Sequence, residues 1–457
     1  MTPQDKYLEM TTRPVKGLVC RMALPTIVAM LTTSLYNVAD AAFVGHVSTG
    51  GTAGVGIALA YMAFVQALGF FFGHGSGNYI SRALGAREDQ SAQVVASVGV
   101  FSSLFLGTLT AVLCLPNLDR LSILLGAPAE VVPYASDYLR YIVLATPFMM
   151  AALTLNNQLR LQGNARFAMV GIVSGALLNI GLDPLFIFVL GMGVSGASLA
   201  TAVSQAVAFT VLFVATTRPS CVHISLRNFR PSMKIYDEIL RGGLPSLCRQ
   251  TFNCAAALAL NHCAVHYAAP GQEASAVAAF AIVTRVMMLA FSIVLGFCQG
   301  FQPVCGFNYG AGQYQRVRHS WHFTMIVGTL FLLVISVVGY LFAPQIIALF
   351  RAEDLALIEI GTATLRWQCI AFPLVASFTA TGMLLQNIRY TASATLLSVS
   401  RNGLFFIPAI IMLPTWLGLQ GVQMAQAVAD VFTFIMALPI MVWIDRRLRH
   451  KMSAAAQ

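Results

Sequence analysis

Charged residues are scarce in this sequence. Asp, Glu, Lys and Arg make up only 10% of its 457 residues, whereas soluble domains carry about 25%. No polar stretch is long enough for a separate water-soluble domain, which argues against an attached nucleotide-binding or catalytic module. Instead, 58% of the residues are hydrophobic, and apolar segments of about 20 residues or more recur along the chain. We therefore predict an all-α integral membrane protein of the cytoplasmic (inner) membrane.

Motifs of several other protein classes are also missing. None of the nine cysteines forms a Cys-x-x-Cys pair, so we interpret them as small buried hydrophobic residues. No cluster of His, Asp and Glu indicates a membrane-embedded enzyme, and we expect neither catalysis nor a cofactor. Four glycines in the second apolar segment lack the spacing of a dinucleotide fingerprint, and close helix packing explains them better: Gly69, Gly73, Gly75 and Gly77.

The distribution of basic residues predicts the topology. Twenty of the 27 Lys and Arg residues, Arg160 among them, fall on one side of a twelve-span arrangement, and only Arg120 and Arg351 fall on the other. By the positive-inside rule both termini are then cytoplasmic, and the net charge of +10 requires no nucleic acid. The predicted spans are 17–43, 53–81, 91–116, 132–160, 166–189, 194–217, 238–268, 275–308, 318–344, 355–388, 393–415 and 418–444.

The two halves of the chain resemble each other. Five short motifs recur in order at offsets of 220 to 226 residues, for example Leu24-Pro25-Thr26 with Leu244-Pro245-Ser246. A six-helix duplication explains this order, and because six is even, both copies enter the membrane from the same side. The sequence therefore predicts two parallel six-helix repeats, an N-terminal lobe at 1–225 and a C-terminal lobe at 226–457, with the substrate in the cleft between them.

Two carboxylates interrupt apolar runs. An acid that faces lipid at mid-helix costs about 2.5–3.5 kcal/mol, so a chain that keeps one there has a use for it. Counted from the cytoplasmic ends of their helices, Asp40 and Asp183 lie at similar depths of about 28 and 25 Å. Such a pair can act as a proton relay or as an oxygen-rich cage for Na⁺, without a resident metal. Polar residues accompany the two acids within a helical turn or at the same depth: Tyr36, Asn37, Asn179 and Thr201.

The second half lacks this pair, since Ile407 stands where the repeat partner of Asp183 would be. Its own acid, Asp430, aligns with Gln205 of the first half, and it either neutralises an arginine or belongs to the substrate path. The amides late in the fourth span either line a cavity or hydrogen-bond between helices. We predict a substrate cavity that includes Asn37, Asn156, Asn157, Gln205, Arg285 and Asp430.

Four stretches of the sequence carry a resemblance to a known family: Leu35-Tyr36-Asn37-Val38-Ala39-Asp40, Asn179-Ile180-Gly181-Leu182-Asp183-Pro184, Leu84-Gly85-Ala86-Arg87, and the segment from Gln302 to Ala311. The chain resembles the multidrug and toxic compound extrusion (MATE) transporters, most of all their DinF-like branch. The resemblance implies a V-shaped pair of lobes and cation-coupled export of bulky, often cationic compounds. It also implies that Asp40 and Asp183 carry H⁺ or Na⁺, with Tyr36, Asn179 and Thr201 in support.

The seventh predicted helix departs from the pattern of that family, and two other functions, a flippase and a channel, are considered beside it. Other branches carry an acid in the seventh helix, where this chain reads Arg249-Gln250-Thr251-Phe252-Asn253. The arginines of the second half would suit a related flippase of lipid-linked oligosaccharides, although the two acids of the first half argue against it. A channel would need no paired lobes. We expect a monomer in the bilayer that acts on small organic substrates.

Overall fold

The structure, a computed structural model, describes the backbone of residues 3–45, 49–351 and 353–456 and the side chains of residues 4–35, 53–351 and 353–454. Within these ranges all regular structure is helical. The helices are α1 (Pro3–Thr12), α2 (Val15–Gly45), α3 (Thr49–Gly85), α4 (Asp89–Cys114), α5 (Leu118–Leu124), α6 (Val132–Leu161), α7 (Ala165–Pro184), α8 (Val194–Ala215), α9 (Met233–Tyr267), α10 (Glu273–Gly310), α11 (Tyr314–Leu341), α12 (Ala343–Ala348), α13 (Leu355–Asn387), α14 (Thr391–Val399), α15 (Phe406–Leu417) and α16 (Leu419–Ala456).

The predicted all-α membrane fold is confirmed. Within the described ranges, eleven segments are long and apolar enough to cross a membrane. Helix α9 supplies the twelfth span by length and position, although charged residues occupy its first turns. The boundaries differ from those predicted: α9 begins at Met233, α16 continues to Ala456, and the polar N-terminal segment forms the additional helix α1.

The same packing pattern occurs in both halves. Helix α6 lies at the centre of the first half, in contact with α3, α4 and α8, and α13 has the same place in the second half, against α10, α11 and α16. Likewise α7 packs on α8, and α15 packs on α16. A six-helix duplication predicts this correspondence.

The halves meet along two helix pairs, α2 with α10 and α3 with α9. In a six-helix duplication α2 corresponds to α9 and α3 to α10, so the two pairs are equivalent. Small residues bring the backbones close together. A Cβ on Gly75 would lie 2.3 Å from the carbonyl oxygen of Ile239, and a Cβ on Gly300 would lie 2.4 Å from the Cα of Ala23. Any larger side chain would push the helices apart. The packing role predicted for the other glycines of α3 is also confirmed, since Gly69, Gly73 and Gly77 face α6 closely.

One end of the bundle gathers the turns that connect α3 to α4, α6 to α7, α8 to α9, α10 to α11 and α13 to α14, and we call it the basic end. Helix α1 lies there and contacts both halves. Lys6 donates to the carbonyl of Ser220 at 3.1 Å, and Asn308 donates to the carbonyl of Met10 at 3.1 Å. Burial lowers the pKa of Lys6 to about 7. Helix α1 thus links the two halves at the basic end.

Candidate cation site

Asp183 lies in the last turn of α7 and is completely buried, with 0% of its surface exposed. Asn179, one turn earlier, and Thr201, on the adjacent α8, are buried beside it. In the amide orientation that satisfies its neighbours, Asn179 donates to a carboxylate oxygen of Asp183 at 2.9 Å and accepts from the Thr201 hydroxyl at 3.3 Å. A single amide therefore connects three of the residues that the sequence analysis singles out.

The local backbone changes geometry directly after this acid. Pro184 follows, and the chain continues as a π-helical turn over Leu185–Val189. Proline removes one backbone donor and crowds the preceding turn, which disturbs a regular α-helix. π-Helical turns within helices are frequent at functional sites. The second half contains a similar turn in its fifth span, Ser400–Phe405.

The partner acid of the first half lies on a neighbouring helix. Tyr36, Asn37 and Asp40 belong to the described backbone of α2, but their side chains lie outside the described residues. Helix α2 packs against α7. The helix that carries Asp40 and the helix that carries Asp183 are therefore in contact.

A cavity of about 110 Å³ lies inside the first half, next to Asn179 and Thr201. Its walls come from α2, α3, α6, α7 and α8, and Met62 and Met149 supply part of the apolar lining. A cavity lined by both polar and apolar side chains suits a small ligand or ordered water. The polar residues that line it are Thr33, Gln66, Asn156, Asn179, Thr201, Ser204 and Gln205.

The acid of the second half has a different environment. Arg401 donates from Nε to one oxygen of Asp430 at 2.8 Å and from Nη2 to the other oxygen at 3.3 Å. Gln426 donates to the same carboxylate at 2.9 Å. Asp430 is 3% exposed, so this two-pronged ion pair is largely withdrawn from water. The contact favours the interpretation in which Asp430 neutralises an arginine.

The other predicted cavity residues are dispersed. Arg285 is exposed on α10, away from the residues that line the cavity of the first half. Asn157 forms its hydrogen bonds within α6, where it donates to the Leu153 carbonyl at 2.8 Å and accepts from Arg160 at 2.6 Å. Only Asn156 and Gln205 of that predicted set are among the described residues that line the cavity.

A polar network that the sequence did not predict lies where the halves meet. The positive-inside count places Arg160 on the cytoplasmic side but does not predict its burial, and Arg160 is only 2% exposed. Its Nη1 donates to Gln302 of the other half at 2.8 Å, and its Nη2 lies 3.2 Å from Nε2 of His74. The signal available in the sequence was Asn157, three residues earlier and therefore on the same helix face as Arg160.

A second group of contacts lies nearer the basic end. Arg82 of α3 forms a 3.3 Å ion pair with Glu238 of α9 and also donates to the carbonyl of Asn387 on α13. Arg389 forms a second ion pair with Glu238. Together with the glycine contacts and α1, these two networks close the interface between the halves at the basic end.

Two six-helix bundles that meet along small residues, with a buried acid beside an internal cavity, define a membrane transporter. Comparison with known families gives the particular one. The MatE family model matches residues 25–185 and 264–412. The chain belongs to the MatE family.

Relatives match along nearly the whole length. The chain is 27% identical over 440 residues to the multidrug export protein MepA of Staphylococcus aureus strain NCTC 8325 / PS 47, which covers 95% of each chain. It is 28% identical over 429 residues to MepA of Staphylococcus haemolyticus strain JCSC1435, which covers 93% of each. Both relatives are multidrug export proteins.

Solved structures agree with the fold. An outward-facing multidrug resistance MATE family transporter of the MOP superfamily is 27% identical, covers 98% of each chain and superposes with a TM-score of 0.89. A MOP superfamily transporter from Pyrococcus furiosus, described as having a binding pocket of reverse polarity, is 28% identical. The superposition covers 97% of this chain and 98% of the Pyrococcus furiosus chain, with a TM-score of 0.88.

Proposed function

We propose that the protein exports bulky organic compounds, often cationic, by antiport against H⁺ or Na⁺. The observation that carries this proposal is the complete burial of Asp183, held by Asn179 beside the cavity of the first half. A buried carboxylate that can be reached from a cavity is a suitable ligand for a proton or a small cation. The similarity to multidrug exporters supports the class of substrate.

The exchange follows from competition for this carboxylate. Binding of H⁺ or Na⁺ at Asp183, together with Asp40, cancels the negative charge that attracts a cationic substrate. Loss of the ion restores that charge and the affinity for the next substrate. Thr201 and Asn179 keep the carboxylate in place in both states, because the amide connects α7 to α8. Release on opposite sides of the membrane requires the lobes to rock between two arrangements.

The closed basic end corresponds to one of these arrangements. We assign the basic end to the cytoplasm of the cell, with both termini there, because basic residues are retained on that side of a membrane. On this proposal the closed basic end shuts the cytoplasmic side, and the protein acts as a monomer in the inner membrane. The flippase alternative loses one of its arginines, since Arg401 is committed to Asp430.

The driving force sets the stoichiometry. One proton that moves down 100 mV releases about 2.3 kcal/mol, and one pH unit adds about 1.4 kcal/mol. Together they support about a 500-fold gradient of a neutral substrate. A monovalent cation that is exported against the same voltage cancels the electrical part and leaves about tenfold. We therefore expect two protons per cationic substrate, one for each acid of the first half.

The test is dye efflux from proteoliposomes driven separately by a pH jump and by a Na⁺ jump. One of the two jumps should drive efflux in the wild type. Asp183→Asn and Asp40→Asn should lose that response, whereas Glu130→Gln, an exposed acid outside the site, should keep it. Ion-driven efflux that survives in both Asp→Asn variants would contradict the proposal.

A further inference from the structure

His74 has no part in the exchange just described, yet it occupies a central position. It lies in the C-terminal third of α3, is 1% exposed, and sits between the two halves near the basic end. Its ring contacts Arg160 of α6 on one side and Ser246 of α9 on the other. The imidazole therefore forms part of the contact between the halves that must separate if the lobes rock. We call this contact, formed by His74, Arg160, Ser246 and Gln386, the seam.

The hydrogen bonds fix both the charge and the tautomer of this ring. Arginine can only donate, so Nε2 of His74, which lies 3.2 Å from Nη2 of Arg160, must be the acceptor. Nδ1 then carries the single proton and donates to the Ser246 hydroxyl oxygen at 3.2 Å. Gln386 of α13 donates to that same oxygen at 2.9 Å. The closed seam therefore requires neutral His74.

The surrounding charges oppose a second proton. Arg160 of α6 and Arg249 of α9 are the charged groups that face His74 from the helices packed against it. From α10, Gln299 and Gln302 contact Arg160 with neutral oxygens. The ion pairs in the described part of the chain include neither arginine. A protonated ring would lose its bond from Arg160 and place a third positive charge in the seam.

We infer that His74 is a proton-sensitive positioning residue of the seam: its neutral form ties α3, α6 and α9 together, and its protonation holds the lobes apart at the basic end. The inference rests on the proposed rocking motion. When the lobes separate, the ring meets water and can accept a proton. The proton must then leave again before the seam can reform. Acid at the basic end thus favours the separated arrangement.

The size of the effect follows from linkage. An imidazole in water titrates near pH 6.5, and only the separated state accepts the proton. The ratio of separated to closed molecules then rises by a factor of about 2 at pH 6.5 and about 11 at pH 5.5 relative to alkaline solution. Between pH 7.5 and pH 5.5 we expect the ratio to change about tenfold.

The experiment measures the distance across the basic end directly. Spin labels at Glu88 and Gln315, exposed residues of the first and second halves, would be attached through ketone-bearing amino acids so that the native cysteines remain. Distance distributions would be recorded in lipid nanodiscs at pH 7.5 and pH 5.5. A response to acid that comes from Asp40 and Asp183 would occur equally in wild type and in a His74 variant, so the comparison of the two isolates the contribution of His74.

The decisive variant is His74→Gln, whose amide can accept from Arg160 and donate to Ser246 but cannot take up a proton. The ratio of long to short distances in wild type, divided by that in His74→Gln, should rise about tenfold on acidification. His74→Asn provides a second non-titrating variant should the first fail to fold. His319→Gln, which changes an exposed histidine, should behave as wild type.

Equal pH responses in wild type and His74→Gln would overturn the inference. Labels that separate with a cationic dye or Na⁺ but not with acid would overturn it as well, while leaving the proposed export intact. Labels that remain close under every condition would contradict both, because the lobes would then not rock.

Discussion

The two halves of this molecule each bury an acid, but in different surroundings. Asp183 is held by the neutral amide of Asn179 beside a cavity, whereas Asp430 is bound by both arms of Arg401. A carboxylate that an arginine already neutralises has little to gain from a further cation. A carboxylate held by an amide keeps its affinity for H⁺ or Na⁺. A duplicated fold can therefore reserve ion exchange for one half and use the same kind of residue for stability in the other.

The largest expected effect is on stability, and it distinguishes the two acids. Asp430→Asn leaves the Arg401 guanidinium partly buried without its counter-charge, which should cost about 3 kcal/mol. Asp183→Asn replaces a carboxyl group by a neutral group of the same shape and should change stability by less than about 1 kcal/mol. Thermal unfolding of both variants in one detergent measures the difference.

A paired replacement checks the cause. Arg401→Met combined with Asp430→Leu removes both charges, and it should recover most of the loss, because burying an ion pair offers little net gain over apolar side chains. Similar unfolding temperatures for Asp430→Asn and Asp183→Asn would remove the contrast between the halves.

The next effect is on the stability of the contact between the two halves at the basic end. A Cβ on Gly75 would lie 2.3 Å from the Ile239 carbonyl oxygen, so Gly75→Ala should destabilise the closed arrangement by about 1–3 kcal/mol. The distance between labels at residues 88 and 315 should lengthen. Gly56→Ala lies on the same helix with nothing near its new methyl group, and it should leave this distance unchanged. Equal behaviour of the two variants would place the contact between the halves elsewhere.

A smaller effect should appear on the ion affinity of the first half. Thr201→Val keeps the shape but removes the hydroxyl that donates to Asn179, at a cost of about 1 kcal/mol, or about fivefold in apparent ion affinity. Thr201→Ser retains the hydroxyl and should remain near wild type. The measurement is the half-saturating H⁺ or Na⁺ concentration for efflux. Loss of affinity in the serine variant as well would show that packing, and not the hydroxyl, matters.

The last prediction concerns a buried charge outside the membrane spans, far from the ion site. The pKa of Lys6 is lowered to about 7 where α1 is docked, while an exposed lysine titrates near 10.5. Undocked α1 therefore binds more protons between these values, so docking should strengthen as the pH rises from 7, by up to about tenfold per pH unit. A spin label at the exposed Gln4 should lose mobility with rising pH.

The control for that experiment compares a variant of Lys6 with the same substitution at a second lysine. Lys6→Met should abolish the pH dependence and keep α1 docked throughout, whereas Lys16→Met, at an exposed position, should retain the wild-type response. A pH response that persists in Lys6→Met would assign it to another group.

Local patterns explain what the sequence could predict. Hydropathy indicates the spans, because each span is a continuous apolar segment. Asn179 and Asp183 are one turn apart on one helix, so their contact follows from spacing alone. The seam could not be predicted in the same way. His74, Arg160, Ser246 and Gln386 come from four helices of both halves, and no local pattern records which helices pack together.

Arg160 shows the limit most clearly. An arginine at the end of an apolar run ordinarily marks the membrane surface, and the positive-inside rule treats it so. Here the helix ends one residue later, but the other half packs against that end, and the side chain is enclosed by His74, Asn157 and Gln302. Whether a residue at the end of a helix is exposed or buried depends on whether the other half packs against it.

The central claim is that substrate and coupling ion compete for the carboxylate of Asp183. Binding of tetraphenylphosphonium to the purified protein, measured with and without acid or saturating Na⁺, tests it most directly. We predict that one of these ions weakens binding to the wild type and to Asp430→Asn but has a much smaller effect on Asp183→Asn, in which only Asp40 remains. Wild-type binding that is indifferent to both ions, or an equal ion effect in Asp183→Asn, would contradict the account.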